Sequence, residues 1–260
     1  MGVSFPDGRR LVGVLTRLHH LAVAVPALEY GYAFFSDVLG LPAVAHAVVE
    51  AQGVRAALLD GGGVEVELLE PLDSDNPVGR FLARGGGLHH ICFASTDVDA
   101  DLTAAARAGA ELLDETGRAG LAGRIGFLHP RATNGILTEF AEPGGSVPVA
   151  PPPPRFSASA VHAGRVTAVE AVAADPCATA AVLGALTGHP SVGDTLEVGD
   201  VPVRFGPAET RPGLTGLVFA RGDATLDRLH DRGVPAREDV GGLVIDPGDA
   251  LGVRVTLANV

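Results

Sequence analysis

The sequence has few of the residues typical of nucleic-acid-binding, disulfide-rich or membrane proteins. It has no Trp, one Met, two Cys and 5% aromatic residues in a chain of 260. All 19 basic residues are Arg, and 31 acidic residues bring the formal net charge to −12. This balance argues against nucleic acid as a partner, because binding phosphates needs a basic face. No apolar run approaches the roughly 18 residues of a transmembrane helix, so no membrane partner is expected either.

The two cysteines, Cys92 and Cys177, lie in apolar stretches and form no metal-binding or redox motif. We therefore expect both to be buried free thiols, which indicates a reducing compartment. The N-terminal residues contain no long apolar segment of the kind found in secretory signals. The expected location is the cytoplasm.

Apolar residues and turn formers are abundant. The sequence is 47% hydrophobic and contains 35 Gly and 19 Pro, which favours short strands joined by many turns. At about 150 residues per domain, its length predicts two domains. Residues 142–164 read EPGGSVPVAPPPPRFSASAVHAG, and four consecutive prolines favour an extended spacer. We predict domains at 1–142 and 165–260, joined by a Pro-rich linker at 143–164.

Internal repeats divide each predicted domain into two modules. The segments LHHLAVAVPALEYGYAFFSDVLGL from Leu18 and LHHICFASTDVDADLTAAARAGAEL from Leu88 each read as a strand, a turn and a helix ending at Gly40 or Gly109. Short alternating segments follow, at 54–59 and 64–70 in the first module and at 124–128 and 135–141 in the second. The unit is βαβββ, with modules at 17–72 and 87–142.

The second half repeats the same plan. Residues 165–190 align without a gap on residues 17–42, and PGLTGLVFARGDATLDRLHDRGVP matches the start of the Leu88 module. Repeats at this spacing identify one supersecondary unit used several times. The sequence therefore predicts an α+β fold of four βαβββ modules, beginning near Leu18, Leu88, Val166 and Leu214.

Strand alternation places two histidines and two carboxylates in similar settings. His20 and His90 each share a strand face with small residues, where a ligand would have room. Glu67, with Glu65 on the same face, and Glu139 lie within largely apolar strands, where burial is costly unless the charge is paired or metal-bound. Taken alone, each histidine is also explained as a hydrogen-bonded core residue, and each carboxylate is also explained as a solvated residue at a strand edge. Together, two imidazoles and two carboxylates suit a divalent cation.

Several motifs together resemble the vicinal oxygen chelate superfamily, which is built from paired βαβββ modules. Residues 17–142 resemble the methylmalonyl-CoA epimerase family over nearly their full length. The matching stretches are LHHLAVAV, FFSDVLGL, EAQGVRAALL, VEVELLEPLDSDNPVGRFLARGGGLHHICF and GRIGFLHPRATNGILTEF. The resemblance implies a fold of two vicinal-oxygen-chelate domains.

The resemblance also implies site residues. The family's metal ligands fall on His20, Glu67, His90 and Glu139, the four positions that alternation selects. The implied cofactor is one divalent metal ion, with Co, Zn, Ni, Mn, Mg and Fe not distinguished. His19 and His89 precede the two histidine ligands, point to the opposite face and are expected to be structural.

Residues outside the ligand set have weaker assignments. His129 matches a family position near the substrate, or it is a turn residue before Pro130. A CoA tail needs cationic contacts. The candidate contacts in the first domain, each of which is otherwise an ordinary surface residue, are Arg80, Arg84, Arg124 and Arg131.

One position departs from the family pattern. Several members have a Glu proposed as a proton-transferring base immediately after QGVR, and this chain has Ala56. Glu139 remains as metal ligand and possible proton carrier, and Glu50 is either a weak second candidate or an ordinary strand-end residue. The substitution removes the simplest two-base account of proton transfer.

The second half lacks all four ligands. Aligned on the first half, it has Ala168, Arg204, Gly216 and Thr256 at the four positions. We expect residues 165–260 to form a degenerate, metal-free paralogous domain. The alternative is that this domain contains a second small-molecule pocket. The protein would be a monomer acting as a pseudo-dimer, or a homodimer.

The expected activity is metal-dependent epimerisation or isomerisation of a 2-substituted malonyl-CoA, with an acyl-CoA as small-molecule partner. Enolate stabilisation by a cation makes proton removal at the carbon between thioester and carboxylate accessible. The alternatives are a lyase, cyclase or decarboxylating enzyme of the same superfamily and, ranked lower, an Fe(II) dioxygenase. A fourth protein ligand leaves a dioxygenase fewer open positions. A non-catalytic binding or resistance protein is the remaining alternative.

Overall fold

The computed structural model of the chain describes residues 15–144, 147–151 and 160–259. The described residues form two eight-stranded sheets, each built from two modules of the same βαβββ plan. The predicted α+β class and its four modules are confirmed. The predicted module starts lie within one residue of the observed first strands.

The first two modules form the first sheet. The first module comprises β1 (Arg17–Ala24), α1 (Leu28–Gly31), β2 (Ala43–Val49), β3 (Val54–Asp60) and β4 (Glu65–Pro71). Helix α1 continues as π-helical turns over Tyr32–Val38 and ends at Gly40, whose φ of 83° is readily adopted by glycine. A short helix, α2 (Pro77–Leu82), leads to the second module. That module comprises β5 (Gly87–Ala94), α3 (Val98–Arg107), β6 (Arg118–Gly120), β7 (Gly123–Leu128) and β8 (Thr138–Glu142).

The third and fourth modules form the second sheet. The third comprises β9 (Val166–Ala173), α4 (Pro176–Thr187), β10 (Ser191–Val192), β11 (Thr195–Leu196) and β12 (Val203–Pro207). The fourth comprises β13 (Gly213–Ala220), α5 (Leu226–Asp231), β14 (Arg237–Asp239), β15 (Gly242–Ile245) and β16 (Arg254–Ala258). None of the helices in the described part of the chain is long and apolar enough to cross a membrane.

The two sheets share one strand order. The first runs β2-β3-β4-β1-β5-β8-β7-β6, and the second runs β10-β11-β12-β9-β13-β16-β15-β14. The first and last strands of a module are neighbours, so β4, β1, β5 and β8 form the centre of the first sheet. This order brings together residues that are far apart in sequence.

Two local predictions need correction. The last strand of the first sheet was expected from residue 135, but β8 begins at Thr138 because Asn134 and Gly135 turn the chain with φ of 52° and 102°. Cys92 is buried as expected, whereas Cys177 is exposed. Cys177 lies in the first turn of α4, whose buried side is formed instead by residues such as Ala180 and Leu183.

The predicted linker is described in part. Residues 145–146 and 152–159, including three of the four consecutive prolines, lie outside the described residues. The flanking residues pair with the first module, since Val161 N donates to Val38 O at 2.8 Å and Ala163 N donates to Leu39 O at 2.8 Å.

By contact density, the chain forms two compact units. One contains most of the second and third modules, and the other contains most of the first and fourth. These units do not correspond to the two halves of the sequence. The predicted domain boundaries at 142 and 165 stay predictions.

Candidate metal centre

Each of the four central strands of the first sheet supplies one donor side chain. His20 lies on β1, Glu67 on β4, His90 on β5 and Glu139 on β8. All four side chains are buried, and the most exposed of them is Glu67 at 5%. Burying four ionisable groups on adjacent strands is unfavourable unless they satisfy one another or bind a cation.

The four side chains lie close together in the centre of the sheet. The Nε2 atoms of His20 and His90 are 3.1 Å apart, and the carboxylate of Glu139 lies 3.1 Å from His90 Nε2 and 3.9 Å from His20 Nε2. Donor atoms of His20, Glu67 and His90 all lie within 4.8 Å of one another. Ligands about 2.0–2.2 Å from a common ion have separations in this range. His20, Glu67 and His90 therefore form a group that could hold a metal ion, and Glu139 lies against its two histidines.

Neighbouring side chains hold this arrangement. The ring of His90 packs edge-on against Phe127 of β7, with the centroids 5.1 Å apart. Cys92, two residues after His90, is in register with Glu139 across the parallel β5–β8 pair, and its Sγ lies 3.6 Å from Glu139 Oε1. From the sequence, Cys92 is expected only as a buried core thiol. Strand alternation is the sequence signal for its place beside the site, because it puts Cys92 on the same strand face as His90.

Burial dominates the electrostatics of Glu139. Its pKa is raised from the usual 4.5 to about 7 by burial, opposed by the nearby His20 and by hydrogen bonding from Cys92. In the absence of a bound cation, this carboxyl group is therefore protonated for a substantial fraction of the time near neutral pH. A divalent cation would supply the positive charge that favours its ionised form.

His19 is closer to the site than strand alternation predicts. It was expected on the opposite face from His20, yet their Nδ1 atoms lie 3.0 Å apart, with the two rings nearly perpendicular at 85°. Burial and the adjacent His20 lower the pKa of His19 to about 3, which keeps it neutral. His89 is half-buried and packs edge-on against Phe81, with centroids 5.0 Å apart.

Glu50 and Ala56 lie in the first module, outside the four-residue convergence. Glu50 is exposed in a 3-10 turn over Glu50–Gln52. Ala56 is only 1% exposed, and β3 places it between Ala47 and Leu69 of the adjacent strands. A buried methyl group therefore occupies the position where the family pattern has a carboxylate.

The residues expected to bind substrate are distributed over turns and a helix. His129 Nδ1 accepts a hydrogen bond from Arg131 N at 3.1 Å, as expected of a residue opening a turn at Pro130. Arg131 is exposed and paired with Glu111 through bonds of 2.7 and 3.0 Å.

Three further arginines were candidates for the CoA tail. Arg80 lies on α2 and donates to the carbonyl oxygen of Asp75, and Arg84 is exposed just after that helix. Arg124 pairs with Asp99 at 2.7 Å. Roles of these residues in substrate binding stay predictions.

The second sheet repeats the register without the donors. In β13 and β16, Val218 pairs with Thr256, as Cys92 pairs with Glu139 in the first sheet. The position of His90 is accordingly held by the buried Gly216, while Arg204 on β12 is exposed. Among the described residues, the two donor groups able to hold a metal ion both lie in the first sheet.

Comparisons with known proteins support a relationship over about half of the chain. The family model described as the Glyoxalase/Bleomycin resistance protein/Dioxygenase superfamily matches residues 19–127. An uncharacterised Bacillus subtilis protein, YqjC, is 40% identical over 50% of this chain and 95% of its own length. The mitochondrial methylmalonyl-CoA epimerase of Bos taurus is 34% identical over 54% and 82%. The ethylmalonyl-CoA/methylmalonyl-CoA epimerase of Cereibacter sphaeroides is 34% identical over 50% and 99%.

Solved structures with similarity to the chain also include epimerases. A methylmalonyl-CoA epimerase in complex with methylmalonyl-CoA and NH4+ is 39% identical, with a TM-score of 0.48, covering 50% of this chain and 96% of its own. The methylmalonyl-CoA epimerase of Mycobacterium tuberculosis is 33% identical, with a TM-score of 0.49, covering 52% and 92%. The sequence relatives that match nearly their full length decide the assignment. The chain belongs to the glyoxalase/bleomycin resistance/dioxygenase superfamily, and methylmalonyl-CoA epimerases are among its relatives.

Proposed function

We propose that the first sheet, within predicted domain 1–142, catalyses proton exchange at C2 of a 2-substituted malonyl-CoA thioester with the help of one divalent cation. The observation that carries this proposal is the convergence of two imidazoles and two carboxylates from four adjacent strands. Relatives at 34% identity that are named as epimerases of methylmalonyl-CoA support the choice of substrate.

The donor set determines which cations fit. Two imidazole nitrogens with two carboxylates suit borderline and hard divalent ions, so Co, Zn, Ni, Mn, Mg and Fe remain candidates. When bound, such an ion supplies Lewis-acid stabilisation of the negative charge that develops when the C2 proton leaves. His20 and His90 would hold it through Nε2, and Glu67 and Glu139 through carboxylate oxygens.

Glu139 is the proposed proton carrier. Its carboxyl group is buried beside the two histidines, and a bound cation would keep it in the ionised form that can accept a proton. The carboxylate would accept the C2 proton at one oxygen and, after exchange with solvent, return a proton to the same face of the carbon. The buried methyl of Ala56 provides no second carrier, so exchange would proceed through Glu139.

Ala56 also favours a second candidate function, decarboxylation of the same thioester. In that reaction carbon dioxide leaves C2 and the bonding electrons remain as an enolate, which Glu139 would protonate. One proton carrier is sufficient for this sequence of steps. Both functions need the same charge stabilisation, and they differ in whether C2 loses a proton or a carboxylate.

The CoA tail would contact basic residues around the site. We propose Arg80, Arg84 and Arg131 as phosphate contacts and His129 as a contact near the acyl group. Arg80 and Arg84 are exposed, although Arg80 donates to Asp75 O, whereas Arg131 would have to exchange its pairing with Glu111.

The second sheet would support the first without chemistry of its own. In this proposal residues 165–260 take the place of a partner subunit, so the chain is either a monomer acting as a pseudo-dimer or a homodimer. Sedimentation equilibrium of the full chain distinguishes these two states.

Isotope exchange tests the proposal. The full chain with Co²⁺ is incubated with methylmalonyl-CoA in deuterated water, and deuterium at C2 and release of carbon dioxide are followed together. Glu139→Gln should lower exchange by about 100-fold or more, as expected for loss of a general base. The matched control is Thr256→Ala, the register-equivalent position of the second sheet, which should behave as wild type.

Each outcome is decisive. Deuterium at C2 of recovered methylmalonyl-CoA establishes the exchange activity, and carbon dioxide with no deuterium in the recovered substrate establishes decarboxylation. Oxygen uptake with Fe²⁺ in place of Co²⁺ identifies a dioxygenase. Bound metal with no turnover of any kind contradicts the proposed function and favours a binding protein.

A further inference from the structure

A second set of metal-binding donors adjoins the first and shares one residue with it. His19, His20 and Cys92 each offer a ligand atom within 4.8 Å of the others, and all three are buried. His19 and Cys92 are not members of the candidate catalytic set. The proposed function assigns no metal ion to either residue.

The geometry of this second set is close to that of a bound ion. The Nδ1 atoms of His19 and His20 are 3.0 Å apart. Around a tetrahedral zinc ion with bonds of about 2.0 Å to nitrogen and 2.3 Å to sulfur, the ligand atoms lie roughly 3.3–3.6 Å apart. The two nitrogens are already near this spacing, and Cys92 Sγ lies within 4.8 Å of a ring nitrogen of each histidine.

The two sets differ in chemical softness. The catalytic set combines imidazoles with two carboxylates, whereas the second set combines imidazoles with a thiol. Thiolate ligands select ions such as Zn²⁺ and Cu⁺, while carboxylates suit Mg²⁺ and Mn²⁺. The same region of the sheet therefore presents a hard site and a soft site side by side.

His20 cannot serve both sets at once. Its Nε2 faces His90 and Glu139, and its Nδ1 faces His19. A neutral imidazole has one lone pair and one N–H, so only one of its two nitrogens can bind a metal ion at a time. Occupation of one set consequently removes a ligand from the other.

We propose that His19, His20 and Cys92 form a second, thiophilic metal site, whose occupation by a soft divalent ion withdraws His20 from the catalytic set. Binding converts the Cys92 thiol to a thiolate and releases its proton to solvent, while the His20 proton moves from Nδ1 to Nε2. Metal binding at this site is independent of the proposed function. The consequence, inhibition by soft metals, rests on it.

Cadmium ion, a softer congener of Zn²⁺, is the probe. Bound to a thiolate it gives an ultraviolet charge-transfer band that does not require enzyme activity. The experiment uses the full chain in a Cys177→Ser background, which removes the exposed thiol and leaves Cys92 as the sole cysteine. Cys177→Ser is also the matched control, because its band and activity should equal those of wild type.

The expected result is one cadmium–thiolate band per chain. The band should disappear in Cys92→Ser, and His19→Gln should weaken cadmium affinity by at least about tenfold through loss of one ligand. Circular dichroism spectra matching that of the parent show that the variants fold. Absence of the band in the Cys177→Ser chain overturns the proposal without reference to any variant.

Competition tests the shared ligand. Mn²⁺ bound to the catalytic set is detected by electron paramagnetic resonance, and cadmium should release it with a stoichiometry of about one to one. In Cys92→Ser the same release should need at least about tenfold more cadmium. Simultaneous retention of Mn²⁺ and the cadmium–thiolate band would overturn the exclusivity. Failure of the isotope exchange assay leaves these metal-binding results unaffected, so the two proposals fail separately.

Discussion

The buried carboxyl group of Glu139 should make the metal-free protein less stable as pH rises. In the folded chain its pKa lies near 7, above the usual 4.5, because burial disfavours the ionised form. Folding therefore favours the protonated group. The associated stability is fully present below pH 4.5, is lost as pH rises toward 7, and stays lost at higher pH.

The size of this effect follows from the shift of the pKa. Each pKa unit corresponds to about 1.4 kcal/mol, so a change in the pKa of Glu139 from 4.5 to about 7 corresponds to roughly 3 kcal/mol. Glu139→Gln replaces the carboxyl by a neutral group of similar shape that does not ionise. The variant should match wild type near pH 4 and be more stable by about 3 kcal/mol at pH 8.

Urea denaturation measures this difference. The chain has no Trp, so unfolding of the EDTA-treated protein is followed by far-ultraviolet circular dichroism between pH 4 and 8.5. The control is Glu111→Gln, an exposed carboxyl whose pKa is lowered by its hydrogen bond with Arg131. Removing this carboxyl should lower stability by a constant amount above pH 4.5, and this difference should shrink only as pH falls below 4.5. A difference between wild type and Glu139→Gln that stays constant from pH 4.5 to 8 would refute the reasoning.

Three further predictions concern the first sheet. Calorimetric titration should show metal affinity falling by about tenfold per pH unit below pH 7, because protonated Glu139 must lose its proton to bind. Gly123→Ala should lower the free energy of unfolding by at least about 3 kcal/mol, since φ is 119° and a Cβ would lie 2.2 Å from a backbone oxygen. Gly109→Ala, at φ of 92° but with open space, should cost only about 1 kcal/mol in the same urea denaturation. Phe127→Leu removes the ring packed against His90 and should weaken metal binding by about tenfold, and unchanged affinity would show that His90 needs no such support.

The modular fold could be predicted because its signals are local and repeated. Helices that end at Gly40 and Gly109 and the repeated LHH segments mark equivalent points of two modules, and the structure confirms both. Strand alternation also selected His20, Glu67, His90 and Glu139 before any geometry was available. Each of these inferences needs only neighbouring residues and the period of a strand.

Other features depend on contacts that no local pattern encodes. Strands β4, β1, β5 and β8 are neighbours in the sheet, which brings together residues as far apart in sequence as His20 and Glu139. Only the strand pairing shows this. Cys177 was predicted to be buried because its neighbours are apolar, yet the first turn of α4 leaves it exposed. The contact of His19 with His20 depends on how each of the two imidazole side chains is oriented. Strand alternation does not describe side-chain orientation at this level.

The four donors also have an internal two-fold pseudosymmetry. The first strand of each module contributes an imidazole and the last strand a carboxylate, in the mirrored order β4-β1-β5-β8. An ion held by such a set would have the same types of donor from either module. In the proposed function, the two faces of a substrate would be distinguished by residues that the modules do not share, among them Ala56 and His129. Changes in stereochemical preference should be sought at those positions rather than among the ligands.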